Sequence, residues 1–273
     1  MTTAFHPVRV LVRGGGDLGS GVIYRVARAG FPIIVLERET PTFVRREVCF
    51  GEAVYRGQIE IEGVTARCVD DLGEANSLLA TGNVPVMVDP SGDTITRWQP
   101  TVIIDARMEK LNIDTRIDHA PLVICLGPGF SAGFDCHAII ETNRGHDLGR
   151  VILHGSAEQD TGEPGAISGY THTRVLRAPA AGHVVARCAI GDAVAEGEVI
   201  AMVGDEPVIA AFPGVLRGII HENVSVNAGM KIGDLDPRAT RRHCFTISDK
   251  SLAIGGGALE AILSAPQVRT LLT

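Results

Sequence analysis

The stretch Arg13-Gly14-Gly15-Gly16-Asp17-Leu18-Gly19 constrains this chain more than any other because of what flanks it. Before it, Val8 to Val12 is a short apolar run with the length and β-branched content of a buried strand. After it, Leu18, Val22, Val26 and Ala29 recur at near-helical spacing, and Gly30 and Pro32 then stop the helix. Ile33-Ile34-Val35-Leu36 follows as a second apolar run ending in Glu37, so strand, glycine turn, helix and strand close a βαβ unit.

In that context Gly14-x-Gly16-x-x-Gly19 reads as a diphosphate-binding turn. The first glycine makes the bend, the second admits a pyrophosphate to the backbone, and the third lets helix and strand pack closely. A phosphate there lies on the helix N-terminus, so Gly14, Gly15, Gly16, Asp17, Leu18 and Gly19 are candidate ligand contacts. Glu37 stands where an acidic side chain can accept hydrogen bonds from ribose hydroxyls and disfavour a 2′-phosphate. The alternative is a tight strand–helix joint with no ligand. The spacing does not say which nucleotide binds.

Further short apolar strands are expected at Ala66 to Val69, Pro85 to Val88, Val102 to Ile104, Leu122 to Leu126 and His137 to Ile140, with a helix over 71–81. Ligands of an open α/β sheet gather outside the carboxyl ends of its strands, where Asp70, Asp89, Asp105, Arg107 and the Gly127-Pro128-Gly129 loop are placed. Gly127 and Gly129 are the stronger candidates, because acids at such positions commonly cap helices. In Glu141-Thr142-Asn143-Arg144-Gly145-His146-Asp147, Arg144 can pair a phosphate or carboxylate and His146 can shuttle protons; the alternative is a solvated interdomain loop. Arg45-Arg46 is read as an exposed helix face rather than an anion clamp.

Six cysteines without CxxC spacing suit reduced thiols, and no metal site is expected. A net charge of −7 without a basic stripe argues against nucleic acid as a partner. The apolar runs are too short to span a membrane, and the N-terminus does not read as a signal peptide, so a soluble cytoplasmic protein is expected.

The second half carries an internal repeat. Ala181-Gly182 through Gly197 returns 32 residues later as Pro213-Gly214 through Gly229, which implies an all-β module of two interlocked halves. Over residues 175–236 this stretch resembles the barrel-sandwich hybrid of biotinyl and lipoyl carrier domains. Its central hairpin, Gly204-Asp205-Glu206-Pro207, offers no lysine for a swinging arm. The expected fold is therefore a Rossmann-like parallel sheet over 1–170 and a barrel-sandwich hybrid over 171–240. A helical segment over 241–273, capped by Ser248 and interrupted by Gly255-Gly256-Gly257, packs back on the first domain.

Arg13 to Gly21, Leu126-Gly127-Pro128-Gly129-Phe130, Glu141 to His146, Lys231-Ile232-Gly233-Asp234 and Ser248-Asp249-Lys250 together resemble the YqeB-type accessory family of selenium-dependent molybdenum hydroxylases, over nearly the whole chain. The resemblance implies a cytosolic bacterial or archaeal protein that helps mature such an enzyme. It would bind, modify or deliver molybdopterin cofactor or its dinucleotide form, with the apo-hydroxylase as partner. It supplies no catalytic residues. Two other readings stay open: an NAD-dependent oxidoreductase using the same glycines, and a non-catalytic scaffold docking the hydroxylase through the β module. A homo-oligomer is compatible with all three.

Overall fold

The computed structural model describes residues 4–160, 162 and 172–272, which divide into two compact units. The first comprises Met1–Glu39, Phe50–Asp160 and Ile247–Thr273, and the second Thr40–Cys49 with Thr161–Thr246. Set beside the expected boundaries at 170 and 240, residues 40–49 join the second unit. Arg45 is the reason: it is buried, not on an exposed helix face, and its guanidinium donates to the carbonyls of His243 and Thr246.

The first unit contains, in chain order, β1 (Val10–Arg13), α1 (Asp17–Arg28), β2 (Ile33–Glu37), α2 (Ala53–Arg56), β3 (Gln58–Ile61), β4 (Val64–Cys68), α3 (Leu72–Ala80), β5 (Val84–Val88), α4 (Asp93–Trp98), β6 (Val102–Asp105), β7 (Leu122–Leu126), β8 (Ala138–Ile140) and β9 (Val151–Ile152). One nine-stranded sheet runs β3-β4-β5-β2-β1-β6-β7-β8-β9. The expectation of a Rossmann-like parallel sheet is corrected here. Strands β4 to β8 are mutually parallel, but both edges, β3 against β4 and β9 against β8, are antiparallel, which makes a mixed sheet. The β3–β4 edge is a hairpin whose turn residues, Glu62 and Gly63, take φ of 48° and 80°. Its strand Gln-Ile-Glu-Ile alternates exposed and buried positions, a short period-2 signal that the sequence reading passed over.

The central strands bury both faces, as apolar runs do when helices or loops cover each side. Val10, Val12, Val35 and Ile104 face α1 and the C-terminal helix α5 (Asp249–Ser264), while Leu11, Ile34, Ile103 and Val123 face the layer holding Trp98 and Ala75. After α5, α6 (Pro266–Leu272) closes the unit. Gly255-Gly256-Gly257 does not interrupt α5. Gly255 lies against the carbonyl of Gly21 in α1, and Gly257 against the carbonyl of Gly149, too close in each case for any side chain. Close approach of backbones is the reason for those two glycines.

On the α3/α4 face a charged cluster ties residues 107–116 to the sheet. Arg13 donates two hydrogen bonds to Asp114 at 2.7 and 2.9 Å, and Arg107 bridges Asp114 to Asp105, whose carboxylate also accepts from Thr115 at 2.5 Å. Arg13 and Asp105 are almost fully buried. The hydrogen bonds from Arg13, with those of Arg107, pull the Asp114 carboxyl down to about 2, against an ordinary aspartate near 4. Because the folded pKa is depressed, the stability Asp114 contributes is present above about pH 4 and is lost as pH falls toward 2. The denaturation midpoints of the natural protein and Asp114→Asn should therefore differ at pH 7 and converge as pH approaches 2.

The second unit consists of β10 (Val175–Arg177), β11 (Gly182–Ala186), β12 (Ala193–Val194), β13 (Val199–Val203), β14 (Glu206–Ile209), β15 (Gly214–Ile219), β16 (Ser225–Val226) and β17 (Lys231–Asp236). The expected barrel-sandwich hybrid is also corrected. The strands form two separate four-stranded antiparallel sheets, β10-β17-β15-β12 and β14-β13-β11-β16, with segment 40–49 added against them. The carbonyl of Val44 packs on Gly218 so closely that a Cβ there would stand 2.6 Å from it. The 32-residue repeat is visible as two strand triplets, β11-β12-β13 and β15-β16-β17, each of which gives its short middle strand to the sheet of the other.

Candidate functional site

The glycine turn leaves β1 at Arg13 and enters α1 at Asp17. Its first half is packed by the protein itself. Gly14 takes φ of 100° and lies against the carbonyl of Ala106, its N–H donating to Leu36. Gly15 is held from two sides: its N–H donates to Glu37 Oε1 at 2.7 Å, and its carbonyl accepts from Gly51 N–H at 3.0 Å. Gly19 lies against the carbonyl of Gly14, the close helix–turn packing that the third glycine of such a motif provides. The second half is more open. Gly16, Asp17 and Leu18 are half-buried, and no side chain among the described residues caps α1, whereas Asp71 caps α3 and Ser248 caps α5.

Glu37 is buried, with both carboxylate oxygens taken by backbone N–H groups of Gly15 and Arg38. Burial pushes its carboxyl above the ordinary range, while those two hydrogen bonds pull the other way.

Helices α1 and α5 cross at Gly21 and Gly255, which brings their first turns together, and Ser251 donates to Asp17 at 2.9 Å. Arg144, in the loop after β8, reaches this place and makes a two-pronged ion pair with Asp249 at 2.8 and 3.0 Å. Glu141, at the end of β8, is buried and accepts the N–H groups of Asn143 and Glu158. His146 is exposed on the same loop and is not brought to Arg144 by any hydrogen bond among the described residues. Gly127, at φ 68°, abuts Thr142 and Met108, and Gly129, at φ 102°, abuts the Lys110–Leu111 peptide. Both serve tight turns at the end of β7. Asp89 caps α4, and Asp105 and Arg107 belong to the charged cluster on the other face.

Lys250 was not among the sequence candidates, although its neighbours were. It occupies the first turn of α5, half-buried, and makes no hydrogen bond or ion pair among the described residues. Burial pushes its ammonium below the ordinary lysine range and Arg144 adds to that, against the pull of Asp17, Glu141 and Asp160. Asp17 and Glu141 already accept other donors, and Asp160 pairs Lys110 at 2.5 Å. A lysine in a helix's first turn runs against the macrodipole, a signal that was present in the sequence.

Fold and site together define an α/β protein with a glycine-turn site at the carboxyl edge of a mixed sheet, carried on one chain with an antiparallel β unit. Its sequence is similar to that of the Escherichia coli (strain K12) protein YqeB, itself described as uncharacterized: 48% identical over 254 residues, which is 93% of this chain and 47% of that protein. The chain thus spans about half the length of that relative. No family model matches it. Among solved structures it is similar to an aspartoacylase family protein from Mesorhizobium loti MAFF303099, at 11% identity and TM-score 0.25, and to a succinylglutamate desuccinylase/aspartoacylase from Rhodobacter sphaeroides, at 12% and 0.26. Each likeness covers 84% of both chains, and at these scores neither bears on function. No helix among the described residues is long and apolar enough to cross a membrane.

Proposed function

We propose that this chain binds molybdopterin cofactor in the cytoplasm and passes it to an apo molybdenum hydroxylase of the selenium-dependent class. The observation that carries the reading is an α1 N-terminus without a side-chain cap, tied through Asp17 to Ser251 of α5, beside Lys250, a half-buried cation that has no partner among the described residues. An anionic group answers both. Backbone N–H groups at a helix start favour a phosphate, and a half-buried ammonium recovers its lost hydration beside one. Resemblance of the glycine turn, the Glu141–His146 loop and Ser248-Asp249-Lys250 to the hydroxylase accessory proteins supports the choice of cofactor.

The residues present fit the phosphate end of such a ligand. The backbone N–H groups of Gly16, Asp17 and Leu18 would face it, Lys250 would supply charge, and Arg144, held by Asp249, would orient a second polar group. The metal-binding dithiolene of the cofactor supplies its chemistry in the recipient enzyme. This chain's part is to hold and release it.

Lys250→Met should weaken molybdopterin binding by about tenfold or more, the loss of one charge-assisted contact, with the thermal midpoint unchanged or raised. Calorimetric titration measures this, and affinity unchanged from the natural protein in both Lys250→Met and Arg144→Ala would defeat the assignment.

A further inference from the structure

In a dinucleotide-binding turn the ribose is held between the glycine loop and the acidic side chain that ends the second strand. Here the chain closes that gap itself. Glu37 folds onto the loop, buried, with its two oxygens accepting Gly15 and Arg38 N–H at 2.7 and 3.0 Å.

The segment Phe50–Glu52 seals the loop from the other side. A Cβ on Gly15 would stand 2.6 Å from the nitrogen of Gly51, so the two backbones are in direct contact. Gly51 N–H donates to the Gly15 carbonyl at 3.0 Å. Phe50 N–H donates to Ser20 Oγ at 2.9 Å, and that hydroxyl donates on to Gly15 at 3.0 Å. Phe50 and Glu52 are fully buried, and Glu52 pairs Arg56 at 2.9 Å. This is an anchored plug; displacing it would uncover Phe50 and strand a buried carboxylate.

We propose that the glycine turn excludes nucleosides, because Glu37 and Phe50–Glu52 occupy the ribose position. The accepted cofactor is then molybdopterin without its attached nucleotide. The identity of the cofactor rests on the function proposed above, whereas the exclusion rests on the packing around Gly15 alone.

The test titrates the whole chain with molybdopterin released from a molybdoenzyme, with its cytosine dinucleotide form, with CDP and with NADH. Saturable binding of molybdopterin, about tenfold or more weaker binding of the dinucleotide form, and none of CDP or NADH is the expected result. Equal or tighter binding of the dinucleotide form, or saturable CDP or NADH binding that Gly16→Val removes, overturns the proposal. If neither molybdopterin form binds, the cofactor reading fails, and the exclusion is judged on CDP and NADH together with hydrogen exchange. Slow exchange of the Gly15 and Gly51 amides, unchanged by CDP, supports the plug. Fast exchange at both shows an open ribose position and refutes it.

Discussion

Asp105→Ala will lower the unfolding free energy by about 3–5 kcal/mol, the range for removing one partner of a buried ion pair. Asp105 is 2% exposed and ends β6, where it accepts from the backbone N–H and guanidinium of Arg107 and from Thr115. Removing it strips three kinds of donor at once. Burial works against the charged form of Arg107, and the carboxylates of Asp105 and Asp114 are what hold it well above that penalty. With Asp105 gone, Arg107 keeps the Thr115 hydroxyl at 3.1 Å and one carboxylate, Asp114, which is itself shared with Arg13. Asp105→Asn preserves shape and one acceptor, so it should cost less than the alanine variant. Urea denaturation of both decides the matter. A loss below about 1 kcal/mol for Asp105→Ala would mean that the cluster adds no more than an exposed ion pair does.

Gly21→Val should be more disruptive still, preventing α1 and α5 from docking. A Cβ at Gly21 would run into the backbone of Ser251, and the reciprocal position, Gly255, faces the carbonyl of Gly21. Neither obstacle is a flexible side chain, so the helices must separate. Overpacking of a rigid contact costs about 1–3 kcal/mol for a methylene or two, and here the clash is with main chain at the centre of the crossing. We expect little folded protein at 37 °C. Gly256 supplies the control, since its Cβ would meet nothing within 4 Å inside the same helix. Gly256→Ala should therefore stabilise by about 0.5–1 kcal/mol, the helix-propensity difference. Circular dichroism melts of the two variants would contradict this account if Gly21→Val melted near the natural protein or Gly256→Ala melted lower.

The local elements were legible where periodicity is strong. Strands β1, β2, β5, β6 and β7 and helix α1 lie where the apolar runs put them, because a strand buried on both faces is apolar along its length, here up to the charged residues that end β1, β2 and β6. The sheet's class was not legible. Its antiparallel edges depend on β3, with only two buried residues, and on β9, with two residues in all. Glu37 was conspicuous by its place at the end of β2, yet its hydrogen bond to Gly15 and the seal made by Gly51 join residues far apart in sequence. No spacing rule encodes that contact. Arg45 misled for the same reason: a paired arginine in a polar stretch looks like surface until the carbonyls of His243 and Thr246, some 200 residues away, are brought to it.

The strand exchange in the second unit makes its two repeats a closed link. Among the described residues β12 pairs only with β15, and β16 only with β11, so a cut at the connection before β15 would leave each fragment with a strand whose hydrogen-bonding edge lies in the other. Neither repeat is a module that can be excised, swapped for a homologous piece or added in a third copy. What is inherited, and what must be moved in any chimera, is the pair.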